Sequence, residues 1–367
     1  MERPARVIAF YLPQFQPIPE NNAWWGTGFT EWTNTAKAKP LFPGHYQPHV
    51  PSELGFYDLR VPETREAQAA LAREHGVEAF CYYHYWFAGK RLLERPFDEV
   101  LASKSPNFPF CLCWANQTWT DIWHGAPDRV LIQQTYPDYQ DHRNHFFWLL
   151  RAFTDPRYLM VQGKPLFCIF RPMEIPEVRQ VTDFWRELAL KTGLKGLHLV
   201  GIHENPEWSP QQYGFDASVT PRLPPLRQSI SWRQPISRIR QGREVRHGKP
   251  TTYSYAEIWH ELIHAVDRAD NYPCLIPNWD NTPRSGANGL VLQDSTPELF
   301  AKQVDKAVVA VRKKAIDYRI VFAKSWNEWA EGNHLEPDLR FGRGYLNVLK
   351  KALHIQDAKS YALAMSS

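Results

Sequence analysis

Residues 7–16 read Val-Ile-Ala-Phe-Tyr-Leu-Pro-Gln-Phe-Gln, an apolar run that passes directly into a loop containing proline and glutamine. A short, continuous apolar run predicts a strand that is buried on both faces of a parallel sheet. In the doubly wound sheets that bind nucleotides, the first strand is instead followed by a glycine-rich phosphate loop. Residues 12–16 contain no glycine. This segment therefore argues against a doubly wound fold and favours a parallel barrel.

Seven further runs of this type follow along the chain, at 79–83, 110–114, 166–170, 197–202, 217–219, 274–277 and 320–325. Amphipathic helical stretches lie between them, at 63–75, 96–103, 138–153, 178–192, 255–269 and 297–314. Eight strands alternating with helices predict an α/β fold, the (β/α)8 or TIM barrel, in a single domain with long loops over its top face. We expect the domain to span residues 1–355, with an insertion at about 222–250 and a C-terminal tail over 356–367.

The functional groups of such a barrel lie at the carboxyl ends of its strands. Here nearly every predicted strand is followed by aromatic, amide, imidazole or carboxylate side chains, which are groups that stack on sugar rings and hydrogen-bond to hydroxyls. We predict that a substrate is bound by Tyr11, Gln14, Tyr83, His84, Tyr85, Trp114, Asn116, Arg171, His203, Glu204, Asn278, Trp279, Asp280, Trp326 and Asn327. For His84, a buried, hydrogen-bonded core histidine is an equally good interpretation.

The densest group of such residues follows the last predicted strand, where residues 325–337 read Ser-Trp-Asn-Glu-Trp-Ala-Glu-Gly-Asn-His-Leu-Glu-Pro. Cleavage of a glycosidic bond needs two carboxyl groups, one to protonate the leaving oxygen and one to act as base or nucleophile. We predict that Glu328 and Glu331 are this catalytic pair, and that Glu336 also lies at the substrate. The alternative is a solvated acidic loop.

A second aromatic segment, residues 21–34, follows the first strand. It contains Trp24, Trp25, Glu31 and Trp32, which we expect to contact the substrate from a long loop over the same site. The alternative is an aromatic cluster packed beneath that loop.

The composition excludes several classes of protein. Hydrophobic residues make up 43% and charged residues 22% of the chain, which is the balance of a globular protein rather than a disordered one. No apolar run approaches the ~18–20 residues of a membrane span. The net charge of +4 is too small to indicate nucleic-acid binding. Aromatic residues make up 14% of the chain, which suits a sugar-binding groove.

The cysteines and the N-terminus indicate the cellular compartment. Cys81, Cys111, Cys113, Cys168 and Cys274 each lie in a short apolar run, which predicts reduced, buried thiols rather than disulfides. The apolar run before Pro13 is too short for the core of a signal peptide. We therefore expect a cytoplasmic protein, or one that is peripheral at the inner membrane.

Two further patterns compete with the sugar-site interpretation. His260-Glu261-Leu262-Ile263-His264 matches the zinc-peptidase helix signature, but a barrel places this helix on its outer ring, so we expect no metal site there. The segment that begins at Arg222 and ends at Lys249 contains seven arginines and only one acidic residue, Glu244. It is interpreted either as a solvated loop or as a patch for an anionic glycan, a lipid-linked glycan or the anionic inner leaflet. No nucleic-acid recognition motif accompanies it.

Four segments carry a resemblance to a known family: IAFYLPQFQPIPENNAWWGTGFTEWTNTAKAKPLFPGHYQPHVP, GVEAFCYYHYWFAGKRLLERP, CLCWANQTWT and KSWNEWAEGNHLEPD. Together they resemble the WbsX-type family of glycoside hydrolase family 99-like proteins. These proteins are often found among polysaccharide-biosynthesis functions and are frequently labelled glycosyltransferases. The resemblance covers nearly the whole chain, and it implies a (β/α)8 barrel that acts on a glycan.

The family 99 hydrolases are retaining endo-α-mannosidases whose two catalytic glutamates lie in an Asn-Glu-Trp-x-Glu-Gly segment, which matches residues 327–332. The resemblance implies that Glu328 is the base that removes a proton from the sugar 2-hydroxyl, which then attacks C1 to give a 1,2-anhydro sugar. It implies that Glu331 is the acid, and we expect a raised pKa for it. Ala330 departs from the polar residue or histidine that the hydrolases often have there.

We interpret the chain as an enzyme acting on glycosidic bonds of a bacterial-type polysaccharide, first as a retaining α-glycoside hydrolase that needs no cofactor. Water as the acceptor gives this hydrolase. A sugar acceptor gives the close alternative, a glycosyltransferase of polysaccharide or O-antigen (lipopolysaccharide) biosynthesis. A non-catalytic glycan-binding barrel and a zinc peptidase are two further hypotheses. The sugar, its linkage, exo or endo action and the oligomeric state stay open.

Overall fold

Eight parallel strands form a closed barrel in the computed structural model, which describes residues 3–121, 126–226, 249–264 and 268–354. The strands are β1 (Arg6–Tyr11), β2 (Val77–Phe87), β3 (Phe110–Trp114), β4 (Lys164–Ile169), β5 (His198–Ile202), β6 (Ala217–Thr220), β7 (Asn271–Leu275) and β8 (Ile320–Ala323). Each of the eight predicted apolar runs overlaps one of them. The predicted (β/α)8 fold is confirmed.

The strands pair in the order in which they occur along the chain. The barrel closes because β1 pairs in parallel with both β8, where Val7 lies opposite Val321, and β2, where Ala9 lies opposite Phe80. All eight carboxyl ends therefore open on one face. The interior is filled by side chains; the ring of Phe10 stacks on Tyr83 at 5.7 Å between centroids.

The helices cover the outside of the barrel and parts of its top face. They are α1 (Pro19–Trp25), α2 (Glu31–Lys37), α3 (Pro62–Glu74), α4 (Arg95–Ser103), α5 (Tyr139–Phe153), α6 (Val178–Lys191), α7 (Tyr255–Leu262), α8 (Thr282–Ser285), α9 (Pro297–Val311) and α10 (Gly344–Ala352). Side-chain caps start two of the longest. Asp138 accepts the Asp141 N–H at 2.9 Å before α5, and Thr296 accepts the Leu299 N–H at 3.3 Å before α9.

One predicted helix is wrong in length. The prediction of a helix over 255–269 is only half fulfilled, because α7 ends at Leu262. Ile263 is extended and forms an isolated β-bridge with Pro221. That pairing takes the backbone out of the helical conformation directly after Leu262.

Short elements shape the loops between these strands and helices. Short strands lie at Lys90–Leu92, Trp119–Asp121, Ala126–Ile132, Met160–Val161, Thr251–Ser254, Leu290–Gln293, Asn327–Glu328 and Asn333–His334. Single turns of 3-10 helix lie at Pro172–Glu174, Pro210–Tyr213, Gly286–Asn288, Ile316–Tyr318 and Trp329–Glu331. The pair Asn327–Glu328 and Asn333–His334 is antiparallel and brackets the turn at Trp329–Glu331. This hairpin carries both predicted catalytic glutamates.

All five cysteines are buried and free of disulfides, as the sequence predicts. Among the described residues, no helix combines the length and the apolar character that crossing a membrane requires. Most of the predicted basic insertion at 222–250, and the C-terminal tail over 356–367, lie outside the described residues.

Candidate active site

A cavity of about 260 Å³ opens at the carboxyl ends of the barrel strands. Its wall combines aromatic rings with amides, two cations and two carboxyl groups. The lining residues are Leu12, Gln14, Trp25, Tyr83, Tyr85, Ala115, Gln117, Thr118, Trp119, Thr120, Phe170, Arg284, Lys324, Glu328 and Glu331. A wall that combines aromatic rings with placed polar groups is typical of a site for a small ligand.

The backbone after β8 places Glu328 and Glu331 on the same wall of this cavity. The single 3-10 turn at Trp329–Glu331 brings side chains three positions apart to one side. Ser325 fixes the hairpin, since its Oγ accepts the Glu328 N–H at 2.9 Å and donates to the Asn333 carbonyl at 2.9 Å. Gly332 ends the turn at φ +55°, where a Cβ atom would lie 3.0 Å from the Cβ of Asp280. Glycine is required there on both counts.

Two cations surround the glutamate pair. Arg284 donates to Glu331 Oε1 at 2.6 Å and to both carboxylate oxygens of the fully buried Glu31, at 2.7 and 2.8 Å. Glu31 also accepts the Ala330 N–H at 2.9 Å, which connects α2 to the turn at Trp329–Glu331. Lys324 Nζ lies 3.7 Å from Glu328 and 4.0 Å from Glu331.

The two glutamates have opposite pKa shifts. Burial raises the pKa of Glu328 to about 8; Lys324 opposes that shift and the Glu331 carboxylate adds to it. Burial acts on Glu331 in the same direction, but Arg284 and Lys324 outweigh it and hold the pKa of Glu331 below its usual value. Glu328 is therefore the carboxyl group that holds a proton more strongly, and Glu331 is the more acidic of the two. This reverses the expected charge states, and the reason is the direct ion pair between Arg284 and Glu331.

Hydrogen-bonding capacity at the cavity is left for a ligand. Within the part of the chain that the structure describes, Gln14 Nε2 is buried and has no hydrogen-bond partner. Glu328 and Glu331 hydrogen-bond to each other, and Lys324 Nζ lies 3.7 and 4.0 Å from them. Buried polar atoms without a partner are rare in folded proteins. A sugar hydroxyl or a glycosidic oxygen would accept a hydrogen bond from Gln14 Nε2, and a sugar hydroxyl would donate one to the Glu331 carboxylate.

Aromatic rings form another part of the cavity wall. Trp25 stacks on Trp119 with 6.2 Å between ring centroids and 28° between planes, and Trp24 packs edge-on against Trp25 at 5.5 Å. Trp119 also contacts Tyr85 edge-on at 5.1 Å. These flat apolar faces beside charged groups suit a ligand with both apolar and hydroxylated surfaces, as a sugar ring has.

Six of the predicted site residues line this cavity, namely Gln14, Trp25, Tyr83, Tyr85, Glu328 and Glu331. A second set lies beneath it and supports it. Asn327 bonds to the Leu12 backbone at 2.8 and 3.1 Å, and Glu336 accepts hydrogen bonds from Tyr57, Gln68 and Trp329 at 2.6–2.9 Å. Four residues predicted to touch substrate are enclosed in the core around this network and do not line the cavity: Tyr11, Glu31, Trp32 and Trp326.

On the β3 side, two predicted contacts have structural partners instead. His84 Nε2 lies 2.9 Å from His145 Nε2, and the ring of His84 stacks on Trp148. This is the geometry of a buried, hydrogen-bonded core histidine. Asn116 bonds to the Arg171 backbone through both ends of its amide, at 2.8 and 2.9 Å. Trp114 is fully buried behind them.

The remaining predicted residues lie at neighbouring cavities. Arg171, His203 and Glu204 line a second cavity of about 230 Å³, which shares Phe170 with the first. Asn278 and Asp280 line a third of about 30 Å³, where Asp280 accepts hydrogen bonds from His45 and Gln47 at 2.6 Å. Trp279 lies under Lys324, with Nζ 5.1 Å from its ring centroid, and Trp24 supports Trp25 from behind.

The cavity residues that were not singled out from the sequence include two aromatic rings, Trp119 and Phe170, and two cations, Arg284 and Lys324. Trp119 and Lys324 lie inside two of the segments quoted for the family resemblance, so that resemblance was a signal that could have identified them. Arg284 lies in α8, away from any strand end, and only the fold brings it to Glu331.

The helix that the zinc-peptidase signature requires ends inside the motif in the structure. The motif needs both histidines on one helical face. However, α7 ends at Leu262, so His264 lies beyond it, and the side chains of His260 and Glu261 are exposed. This geometry does not support a zinc-peptidase site at residues 260–264.

Several known proteins are similar to this chain. It is 40% identical over 356 residues to an uncharacterized protein, WxcX, from two strains of Xanthomonas campestris pv. campestris. That match covers 95% of this chain and 50% of WxcX, so the chain spans about half the length of the curated relatives it matches.

Solved structures share the fold at low identity. The GH99 endo-alpha-mannosidase from Bacteroides thetaiotaomicron, in complex with Bis-Tris propane, has a TM-score of 0.56 at 15% identity, over 98% of each chain. A glycoside hydrolase-like protein has a TM-score of 0.57 at 16% identity, over 96% of this chain and 94% of that one. Finally, the family described as Glycosyltransferase WbsX matches residues 7–349, nearly the whole chain. The chain belongs to that family.

Proposed function

We propose that this chain cleaves glycosidic bonds with Glu328 and Glu331, as a retaining α-glycoside hydrolase of the α-mannosidase type. The observation that carries the proposal is the pair itself: two adjoining buried carboxyl groups on one cavity wall, of which Glu331 is paired with Arg284 at 2.6 Å, so that the pKa of Glu328 is raised and that of Glu331 lowered. Glycoside cleavage needs one acid and one base at the same sugar. Surroundings that raise the pKa of one carboxyl group and lower that of the other supply an acid and a base at neutral pH.

The charge states assign the roles. Glu328 carries a proton and donates it to the leaving oxygen, while Glu331 removes the proton from the sugar 2-hydroxyl. That oxygen attacks C1 as the glycosidic bond breaks, which gives a 1,2-anhydro sugar. Glu328, now ionised, removes a proton from water; the water oxygen attacks C1, and Glu331 returns its proton to O2. Two inversions retain the configuration at C1. These roles are the reverse of those that the resemblance implies.

The cavity favours a hydroxylated ring over a peptide or a nucleotide. Its volume of about 260 Å³ suits one sugar unit, with Trp25 and Trp119 as stacking surfaces and Gln14 as a donor to a hydroxyl. A substrate that is part of a bacterial-type polysaccharide would continue past Phe170 into the second cavity.

A glycosyltransferase is the second candidate, because that same second cavity, of about 230 Å³, has room for an acceptor sugar. The family's description as a glycosyltransferase supports it as well. The chemistry is the same, except that an acceptor hydroxyl replaces water at C1. This reaction would place the enzyme in polysaccharide or O-antigen biosynthesis.

The test is turnover of α-linked manno- and rhamno-configured oligosaccharides in ¹⁸O-labelled water, with products analysed by mass spectrometry. Hydrolysis puts one ¹⁸O on the new reducing end. Transfer gives longer, unlabelled products that increase with added acceptor. The double variant Glu328→Gln/Glu331→Gln should form neither product, whereas Glu63→Gln, a matched change on the outer helix α3, should behave as the parent does. Binding without turnover under every acceptor would overturn the proposal in favour of a glycan-binding barrel.

We further propose that the arginine-rich segment, residues 222–249, binds an anionic glycan, a lipid-linked glycan or the anionic inner leaflet from the cytoplasmic side. Seven arginines against one glutamate support this. Binding to anionic vesicles should weaken between low and physiological salt. The substitutions Arg238→Ser, Arg240→Ser and Arg243→Ser should remove that salt dependence. Salt-independent binding, or none, would leave a solvated loop.

A further inference from the structure

Three buried side chains that the sequence did not single out converge beside the catalytic hairpin. His49 comes from the loop between α2 and α3, and His334 and Asp338 follow the turn that carries Glu328 and Glu331. One potential ligand atom of each lies within 4.8 Å of the other two. His334 Nε2 is 3.1 Å from His49 Nδ1 and 3.9 Å from Asp338 Oδ2.

The tautomer of His334 is fixed by its other nitrogen. Nδ1 lies 2.9 Å from the backbone carbonyl oxygen of Glu336, which can only accept a hydrogen bond. Nδ1 therefore carries the hydrogen, and the lone pair of Nε2 points to the side where His49 and Asp338 lie. A histidine held by a backbone carbonyl in this way is the usual arrangement of a metal-binding imidazole.

Asp338 is held in place by its other oxygen. Oδ1 accepts the backbone N–H groups of Arg340 at 2.9 Å and Phe341 at 2.6 Å. This leaves Oδ2 on the side of His334. Each of these two residues thus uses one atom for its own orientation and presents the other to the same point.

The spacing suits a small cation. Ligands at about 2.0–2.1 Å from a tetrahedral zinc ion lie about 3.3 Å from one another, and the contacts of His334 Nε2, at 3.1 and 3.9 Å, bracket that value. A water molecule would complete a tetrahedral set of ligands. A hydrogen bond between two neutral histidines would account for the 3.1 Å contact. It would not account for the position of the Asp338 carboxylate beside them.

We propose that His49, His334 and Asp338 bind one divalent transition-metal ion of the zinc type. Two imidazoles and one carboxylate are ligands that zinc accepts. The ion would connect the loop before α3 to the catalytic hairpin, where the ring of Trp329 stacks on His334 at 3.8 Å. It positions the turn of Glu328 and Glu331 and touches no substrate. The site stands whether or not the glycosidase proposal holds.

The test uses the full-length chain, equilibrated with ZnCl2, freed of unbound metal by gel filtration and analysed by inductively coupled plasma mass spectrometry. We expect about one zinc per chain and a melting temperature that rises with Zn²⁺. His49→Gln and Asp338→Asn should bind zinc at least about tenfold more weakly and lose that rise. His264→Ala, which changes the peptidase-like motif, is the matched control and should bind zinc as the parent does.

A second measurement on the unaltered chain guards against variants that fail to fold. Loaded with Co²⁺, the parent should show the intense visible absorption of a tetrahedral site, and added Zn²⁺ should displace it. No zinc retained by the parent, a cobalt spectrum equal to that of the aqueous ion, or a folded His49→Gln variant that binds zinc as the parent does would each overturn the site.

Discussion

The guanidinium of Arg284 donates a hydrogen bond to Glu331 at 2.6 Å, across 47 positions of sequence. Its other amino group is held by Glu31, so the cation cannot turn away from Glu331. The ion pair keeps Glu331 ionised and leaves the proton of the pair on Glu328. The proposed division of acid and base roles depends on this contact.

Replacing Arg284 should therefore change the pH profile as well as the rate. In Arg284→Gln the cation that lowers the pKa of Glu331 is gone, so this pKa rises and the acidic limb of kcat/KM moves to higher pH. We expect kcat/KM to fall by about 10²-fold at neutral pH. Arg284→Lys keeps the charge but not the two-pronged geometry, and should lose less. An acidic limb that does not move in Arg284→Gln would show that Arg284 has only a structural role.

The raised pKa of Glu328 should be visible in stability. Its folded-state value of about 8 exceeds the ordinary 4.5, so the folded protein binds this proton more tightly than the unfolded chain. The resulting stabilisation is fully present below about pH 4.5 and is lost as the pH rises through about 8. Between about pH 5 and 8.5 the free energy of unfolding should decrease more in the parent than in Glu328→Gln, as measured by urea denaturation. Equal pH dependence in the two proteins would contradict the shift.

The stacking wall should contribute to binding rather than to chemistry. Trp119→Ala removes the ring that stacks on Trp25 and lines the cavity. An aromatic contact of this kind contributes about 0.5–1.5 kcal/mol beyond burial, so KM should rise about tenfold while kcat changes little. Phe147→Ala, which removes an exposed ring on the outer helix α5, is the control and should leave both constants unchanged. A fall in kcat with KM unchanged would place Trp119 in the chemical step.

The sequence predicts the barrel because its strands are encoded locally. Runs such as 110–114 are apolar throughout, and this pattern can be recognised without knowing what packs around it. The end of α7 was not predictable in this way. It depends on the pairing of Ile263 with Pro221, which the helical periodicity of residues 255–269 does not contain.

For the site, the sequence identifies residue types but not the direction in which each side chain points. Glu328 and Trp326 are two positions apart, yet one lines the cavity and the other is fully buried in the core. The charge states of Glu328 and Glu331 could not be predicted from the sequence either. They depend on Arg284, which the fold brings to Glu331 from α8. Long-range ion pairs leave no local pattern.

The most direct test of the roles of Glu328 and Glu331 compares Glu328→Gln and Glu331→Gln on two substrates of one sugar. One is a glycan that the parent cleaves. The other is the glycosyl fluoride, whose leaving group needs no protonation. Loss of an acid or base costs ~10²–10⁴-fold in rate. We expect both variants to lose turnover of the glycan, Glu328→Gln to recover on the fluoride, and Glu331→Gln not to recover. Recovery by Glu331→Gln alone would reverse the roles. Near-normal rates for both variants on the glycan would contradict the claim that these two glutamates carry the reaction.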